Sequence, residues 1–279
     1  MFPICNVDQR FRVCGVSVHI RCDDEAAARL LAATFDAFPR DDSAAAPACR
    51  YTVSSVRDGG YRVVHNDAAA VVVETGDALL FHLDKDLTLA LQARRADLFF
   101  MHAAVVADGD RAWAMAAPSG TGKSTTTWAL VLHGLRYMSD ELAPLDFSGS
   151  VTTVHAYPRA LNLKHEPPEP YGVPADAMRF PDDLYIPVAA TPGIGVLALH
   201  GILFLHRRVE FSAPVVRHLA LSDAAARVYI NALNPLAHPG SGLDAAIAIA
   251  RRVPCLDVAL GPLPASIAAI RSVMCETVG

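Results

Sequence analysis

Apolar and polar positions alternate at short range through the first ninety residues, then give way to longer apolar runs. Residues 11–20 alternate enough to predict a strand, and Asp23 or Asp24 then stands where a helix N-cap belongs. Ala, Leu and Phe at helical spacing extend that predicted helix through Phe38. After a polar, Ala-rich connection, residues 51–56 and 61–64 flank Arg57-Asp58-Gly59-Gly60, the signature of a hairpin. The β pattern continues at 70–74 and 78–82, and residues 84–95 read as a helix. Residues 1–95 are therefore expected to form a small α+β domain, and they carry no recognisable catalytic set.

The character changes at Leu98, where a second domain, residues 96–279, is expected to begin. Phe-Phe-Met-His-Ala-Ala-Val-Val-Ala from Phe99 reads as one buried strand, Asp108-Gly109 as a hairpin turn, and residues 111–117 as the return strand. A helix is predicted over 123–133 and a short strand over 135–138, ending in Ser139-Asp140-Glu141. Further strands are predicted at 142–146, 152–156, 160–163, 196–205 and 255–260, with helices at 222–232, 243–252 and 264–275. The Pro-rich stretch 166–192 reads as a long loop or lid. Residues 186–205 carry no formal charge over roughly the length of a membrane span. Pro187, Pro192, Gly193, Gly195, His200 and Gly201 interrupt them, which favours a loop followed by one buried strand.

Between the predicted return strand and helix lies Ala117-Pro-Ser-Gly-Thr-Gly-Lys-Ser-Thr-Thr126. A Gly-rich turn that opens a helix is a phosphate cradle, because backbone N–H groups and the positive end of the helix dipole converge on one anion. The P-loop pattern G-x-x-x-x-G-K-[ST] is met except at its first position, where Ala117 replaces glycine. Ser119, Gly120, Thr121, Gly122, Lys123, Ser124 and Thr125 are thus expected to line the phosphates of ATP. Lys123 would reach the β/γ-phosphates and the Ser124 hydroxyl would ligate Mg²⁺.

Composition narrows the partners. With 52% hydrophobic and 19% charged residues the chain is globular, and a net charge of -5 gives no general reason to expect nucleic acid or an acidic membrane. The six cysteines are scattered, with neither a C-x-x-C pair nor a histidine at finger spacing, so neither zinc nor a disulfide framework is indicated. The N-terminus lacks a basic segment followed by an apolar one, so a cytoplasmic protein is the expectation.

Position in the chain then separates classes of P-loop protein. About 115 residues precede the loop, whereas nucleotide kinases usually open with it; no N/T-K-x-D or L-S-G-G-Q segment follows. What remains is an ordered set: Met-His-Ala-Ala-Val-Val, a hairpin, the loop, Ser139-Asp140-Glu141, and Tyr157-Pro-Arg-Ala-Leu-Asn-Leu-Lys164. This order resembles the C-terminal domain of HPr kinase/phosphorylase, and more closely the HPr-kinase-related group that includes lasso-peptide tailoring kinases. The resemblance covers residues 98–275, and the N-terminal unit is similar to the small domain of that group. It implies an α/β P-loop kinase domain related to HPr kinase and phosphoenolpyruvate carboxykinase, with a mixed sheet and flanking helices.

The resemblance also implies transfer of the γ-phosphoryl group of ATP to a serine-type hydroxyl, with a peptide or protein as acceptor. Asp140 would be the general base, Glu141 a second carboxylate near Mg²⁺, and His102 a neighbour of the phosphates. His102 is equally open to reading as a buried core histidine. Arg159 and Lys164 would bind phosphate or an acidic substrate end, or lie solvated on a strand edge. Two departures stand out: Tyr157 occupies the place of a metal-linked glutamate, and Pro239-Gly240-Ser241-Gly242 lacks an arginine. A charge-stabilising arginine would then be sought among Arg159, Arg207 and Arg208. The related kinases often assemble, so a homo-oligomer is expected from the resemblance alone.

Overall fold

The computed structural model describes residues 7–57, 59–189, 195–207 and 213–276. The chain forms a mixed α/β protein that divides into two compact units. The first comprises Met1–Arg95, Pro158–Glu166 and Val173–Ala190; the second comprises Ala96–Tyr157, Pro167–Gly172 and Thr191–Gly279.

In the first unit β1 (Val7–Val13), β2 (Val16–Cys22), β3 (Cys49–Ser55), β4 (Tyr61–His65) and β5 (Val71–Val73) form a sheet in that order, with only the β2–β3 pair parallel. The single strand expected over residues 11–20 is instead the β1–β2 hairpin. Cys14 and Gly15 both adopt positive φ, 49° and 77°, which is the backbone a two-residue hairpin turn requires. Cysteine in place of Asn or Asp at the first turn position hides that signal. Helix α1 (Glu25–Phe35) is capped by Asp24, whose carboxylate accepts the Ala27 N–H at 2.8 Å. It ends one turn short of Phe38, where Phe11, Phe35 and Phe38 gather their rings and Pro39 follows.

Residues 78–82, expected as a strand, lie inside α2 (Gly76–Arg94). Thr75 caps that helix, and Leu79, Leu83, Leu87 and Leu91 recur every fourth residue on its buried face. A window of five residues is too short to separate this period from alternation.

The second unit opens with β6 (Phe99–His102), β7 (Ala104–Asp108) and β8 (Arg111–Ala116), followed by α3 (Lys123–Leu132), β9 (Arg136–Ser139), β10 (Leu142–Asp146) and β11 (Thr153–His155). The chain then returns to the first unit for a small sheet of β12 (Leu161–Leu163), β13 (Met178–Arg179) and β14 (Leu184–Ile186), order β12-β14-β13. The Pro-rich stretch expected as a loop therefore contains two short strands; its residues 190–192 lie outside the described residues. The remaining elements are β15 (Val196–Arg207), β16 (Val215–His218), α4 (Leu221–Ile230), α5 (Leu243–Arg252), β17 (Cys255–Leu260) and α6 (Leu263–Glu276).

The large sheet runs β6-β10-β11-β15-β8-β7-β9, with β17 beside the second half of β15 and β16 beside β17. Strand β8 is buried on both faces, which is why it reads as an apolar run after Arg111. Ala112, Ala114 and Ala116 join a core completed by Ala224 and Val228 of α4 and Ala246 and Ile249 of α5. Trp113 and Met115 face the other way, into a core with Ala129 and Leu130 of α3 and Ile267 and Ile270 of α6. Alternation thus builds a three-layer sandwich around β8. Gly201 on β15 is needed for its lack of a side chain: a Cβ there would lie 2.1 Å from Trp113 Cζ3.

The buried strand expected from Phe99 onward is two strands that part at Ala103, because β6 pairs with β10 while β7 pairs with β8 and β9. Among the described residues no helix is long and apolar enough to cross a membrane.

Candidate active site

Strand β8 ends at Ala116, and the next six residues carry the chain into α3. Gly120 and Gly122 adopt positive φ of 77° and 104°, backbone that residues with a Cβ rarely take. Gly122 also serves as N-cap: its carbonyl accepts the Thr126 N–H at 2.8 Å. The loop closes on itself through Thr121 N–H to Pro118 C=O at 3.2 Å. No side chain caps the helix, so its first N–H groups face the loop's concavity, as an anion site requires.

Across from the loop, β9 and β10 are joined by only two residues, Asp140 and Glu141. Ser139 is the device that shapes this link. Its buried hydroxyl accepts the Glu141 N–H at 3.2 Å and the Leu142 N–H at 2.9 Å, so the chain turns without a glycine. The turn points toward α3. Lys123 Nζ donates to the Asp140 carbonyl and to Glu141 Oε2, the latter at 3.2 Å. His102, at the end of β6 and opposite Leu142 in register, reaches Glu141 Oε1 with Nε2 at 2.9 Å. Its backbone is fixed by a bond from His102 N–H to the Asn231 carbonyl just past α4.

Asp140 is 1% exposed. A carboxylate so buried must be compensated by hydrogen bonds, and Tyr137 supplies one: its hydroxyl donates to Asp140 Oδ1 at 2.9 Å. Glu141 is half-exposed and bridges a lysine and a histidine. The two adjacent carboxylates thus occupy different environments, one enclosed and oriented, the other half-exposed between Lys123 and His102.

The fit to Mg²⁺ and ATP follows from the donors. Mg²⁺ usually takes one or two carboxylates and completes its shell with phosphate oxygens and water. Ser124 at the start of α3 and Glu141 on the facing turn are of the right chemistry for that share. Ser119, Thr121 and Thr125 fall on the loop and the first turn of the helix, as the motif requires.

Arg159 has a different setting. It belongs to the first unit, buried, with Nε 3.1 Å from Asp84 Oδ1 and Nη1 donating to the Ala160 carbonyl at 2.8 Å. Lys164, also in the first unit, is exposed and pairs with Asp183 at 2.8 Å. Tyr157 is fully buried, and its N–H donates to the Met138 carbonyl at 2.9 Å. Arg208 lies outside the described residues. Arg207 does reach the loop: its Nε donates to the Thr121 carbonyl at 2.9 Å.

Sequence reasoning missed Tyr137 and the turn-forming part of Ser139. A signal existed for the first, since Tyr137 and Ser139 lie two apart on one strand leading to Asp140.

No protein-family model matches the chain, and no curated protein matches it. Among solved structures, the Hpr(Ser) kinase/phosphatase from Coxiella burnetii is similar over 64% of this chain and 99% of its own, at 12% sequence identity and a TM-score of 0.36.

Proposed function

We propose that the second unit is an ATP- and Mg²⁺-dependent kinase that phosphorylates a serine-type hydroxyl on a peptide or protein. One observation carries the reading: the P-loop lysine meets, on the facing turn, the backbone carbonyl of Asp140 and the half-exposed carboxylate of Glu141, with the Asp140 carboxylate buried beside them and His102 on Glu141. Phosphoryl transfer asks for positioning and charge compensation more than for covalent chemistry. Lys123 supplies a cation for the β/γ-phosphates, and the loop amides hold the remaining charge. Ser124 and Glu141 would hold Mg²⁺, which neutralises charge between the phosphates when bound.

Asp140 is assigned the acceptor's proton. Tyr137 holds one carboxylate oxygen, so the carboxylate keeps a fixed orientation while it accepts the hydroxyl hydrogen and aligns the oxygen. His102 orients Glu141. The order of motifs supports an acceptor at the C-terminus of a ribosomally made, lasso-type precursor peptide.

The test is mass spectrometry of such a serine-bearing peptide incubated with the full chain, ATP and Mg²⁺. A gain of one phosphate on serine is the expected outcome; ATP binding with no transfer to any peptide would favour a nucleotide-sensing module, and ADP release with small hydroxylated metabolites alone would move the acceptor class.

A further inference from the structure

A pocket of about 280 Å³ adjoins the phosphate loop at Thr121 and Gly122. Its walls are Thr125 and Thr126 in the first turn of α3, Arg207 at the end of β15, and the link from Leu260 to Leu263 between β17 and α6. None of Lys123, Asp140, Glu141 or His102 lines it. A P-loop binds its anion with a fixed sense, the lysine at the β/γ end and backbone amides at the α/β end. Here the lysine end carries the carboxylates, so the rest of the nucleotide leaves the loop from the other end, and this pocket adjoins the loop without any residue of the lysine end.

We infer that this pocket holds the nucleoside of the bound nucleotide and grips its base by the ring faces, leaving the base edges unread; the inference rests on the ATP-dependent reading above. Small-ligand clefts start at roughly 300 Å³. The space therefore suits a nucleoside and not a peptide. Leu260, Pro262 and Leu263 offer apolar surface to the flat sides of a base.

The polar groups of the link are occupied internally. Gly261 N–H donates to Ser266 Oγ at 3.0 Å, and that hydroxyl donates back to the Gly261 carbonyl at 3.2 Å. The Pro262 carbonyl accepts the Ser266 N–H at 2.9 Å, and proline has no N–H to offer. Strong discrimination between bases requires donors and acceptors that go unpaired with the wrong one. At Gly261 and Pro262 no N–H donor is left for that purpose.

Arg207 stands between the pocket and the loop. Its backbone is registered against Leu260 in the β15–β17 ladder, its Nε holds the Thr121 carbonyl, and its Nη2 lies 3.3 Å from where a Gly122 Cβ would be. The guanidinium is thereby set to meet phosphate charge at the nucleoside end, complementing Lys123 at the other.

The experiment is calorimetric titration of the full chain, with Mg²⁺, by ATP, GTP and inorganic tripolyphosphate. ATP is expected to bind about tenfold or more tighter than tripolyphosphate, with GTP within about fivefold of ATP. Leu263→Trp, which fills the pocket, should bring ATP and GTP to the affinity of tripolyphosphate and leave tripolyphosphate itself unchanged. That unchanged value also certifies the fold. Should the variant not fold, the comparison of the three anions on the parent chain still decides.

Equal affinity of ATP and tripolyphosphate for the parent, or a Leu263→Trp protein that still prefers ATP, would overturn the pocket assignment. A GTP affinity about a hundredfold below that of ATP would overturn the face-only grip. Tight, selective ATP binding without phosphoryl transfer would defeat the kinase reading alone, whereas no binding of any anion would defeat the reading of the loop itself.

Discussion

Asp140→Asn separates binding from chemistry. The asparagine is isosteric, and its side-chain oxygen still accepts the Tyr137 hydroxyl, now as a neutral bond in place of one to a charged group. Hydrogen bonds to charged groups are worth about 1.5–3 kcal/mol and neutral ones about 1, so stability should fall by about 1 kcal/mol. Lys123 contacts the backbone carbonyl at 140, which the substitution does not touch, so the phosphate cradle stays intact. What disappears is the group assigned the acceptor's proton. Positioned general bases contribute about 10²–10⁴ in rate, or about 2.7–5.4 kcal/mol of barrier. The assay is phosphate incorporation under saturating ATP, alongside ATP affinity from titration. The expected result is a turnover loss in that range with affinity within about threefold of the parent. Turnover within tenfold of the parent, or affinity that collapses together with turnover, would refute the assignment of Asp140 as base.

Further outcomes follow from other contacts in the structure. Gly201→Ala places a methyl 2.1 Å from the fully buried Trp113 ring, so it should cost at least about 1–3 kcal/mol in urea unfolding, the usual range for overpacking. Arg159→Ala breaks the buried pair with Asp84 and should lower unfolding stability by about 3–5 kcal/mol, whereas Arg207→Ala should weaken ATP binding with little shift in the unfolding midpoint. Burial pushes the Cys255 thiol up to about 12, so in the folded protein it should resist alkylation at pH 8 while exposed Cys275 reacts, as residue-resolved mass spectrometry would record. The sign on stability is fixed too: the folded value lies above the thiol's ordinary value of 9.0, so this contribution is whole below pH 9 and is lost as pH rises toward 12.

Legibility followed the range of the interaction that decides each feature. The phosphate loop was readable because glycines, lysine and helix start are contiguous, and α5 and β17 were readable because a clear period and breakers bound them. The Cys14-Gly15 turn and the start of α2 were misread where a local signal was weak or shared by two periods. The break at Ala103 had no local signal. It exists because β6 and β7 choose different partners, β10 on one side and β8 with β9 on the other, and pairing between distant strands leaves little trace in either segment.

The arginines make the same point for the site. Arg159 sits in a motif-like stretch, two residues after the place of an expected metal ligand. A guanidinium is costly to bury without a countercharge, and Asp84 supplies one from seventy-five positions earlier, on a helix whose spacing gives no hint of it. Arg207 lacked any motif. Its value comes from the parallel pairing of β15 with both β8 and β17, which brings the end of β15 level with the end of the strand that delivers the phosphate loop. A cation at the carboxyl end of a central parallel strand, beside a helix N-terminus, is where an α/β sheet collects its ligand contacts. The strand order, more than the residue's surroundings in sequence, therefore brings Arg207 to the phosphate loop.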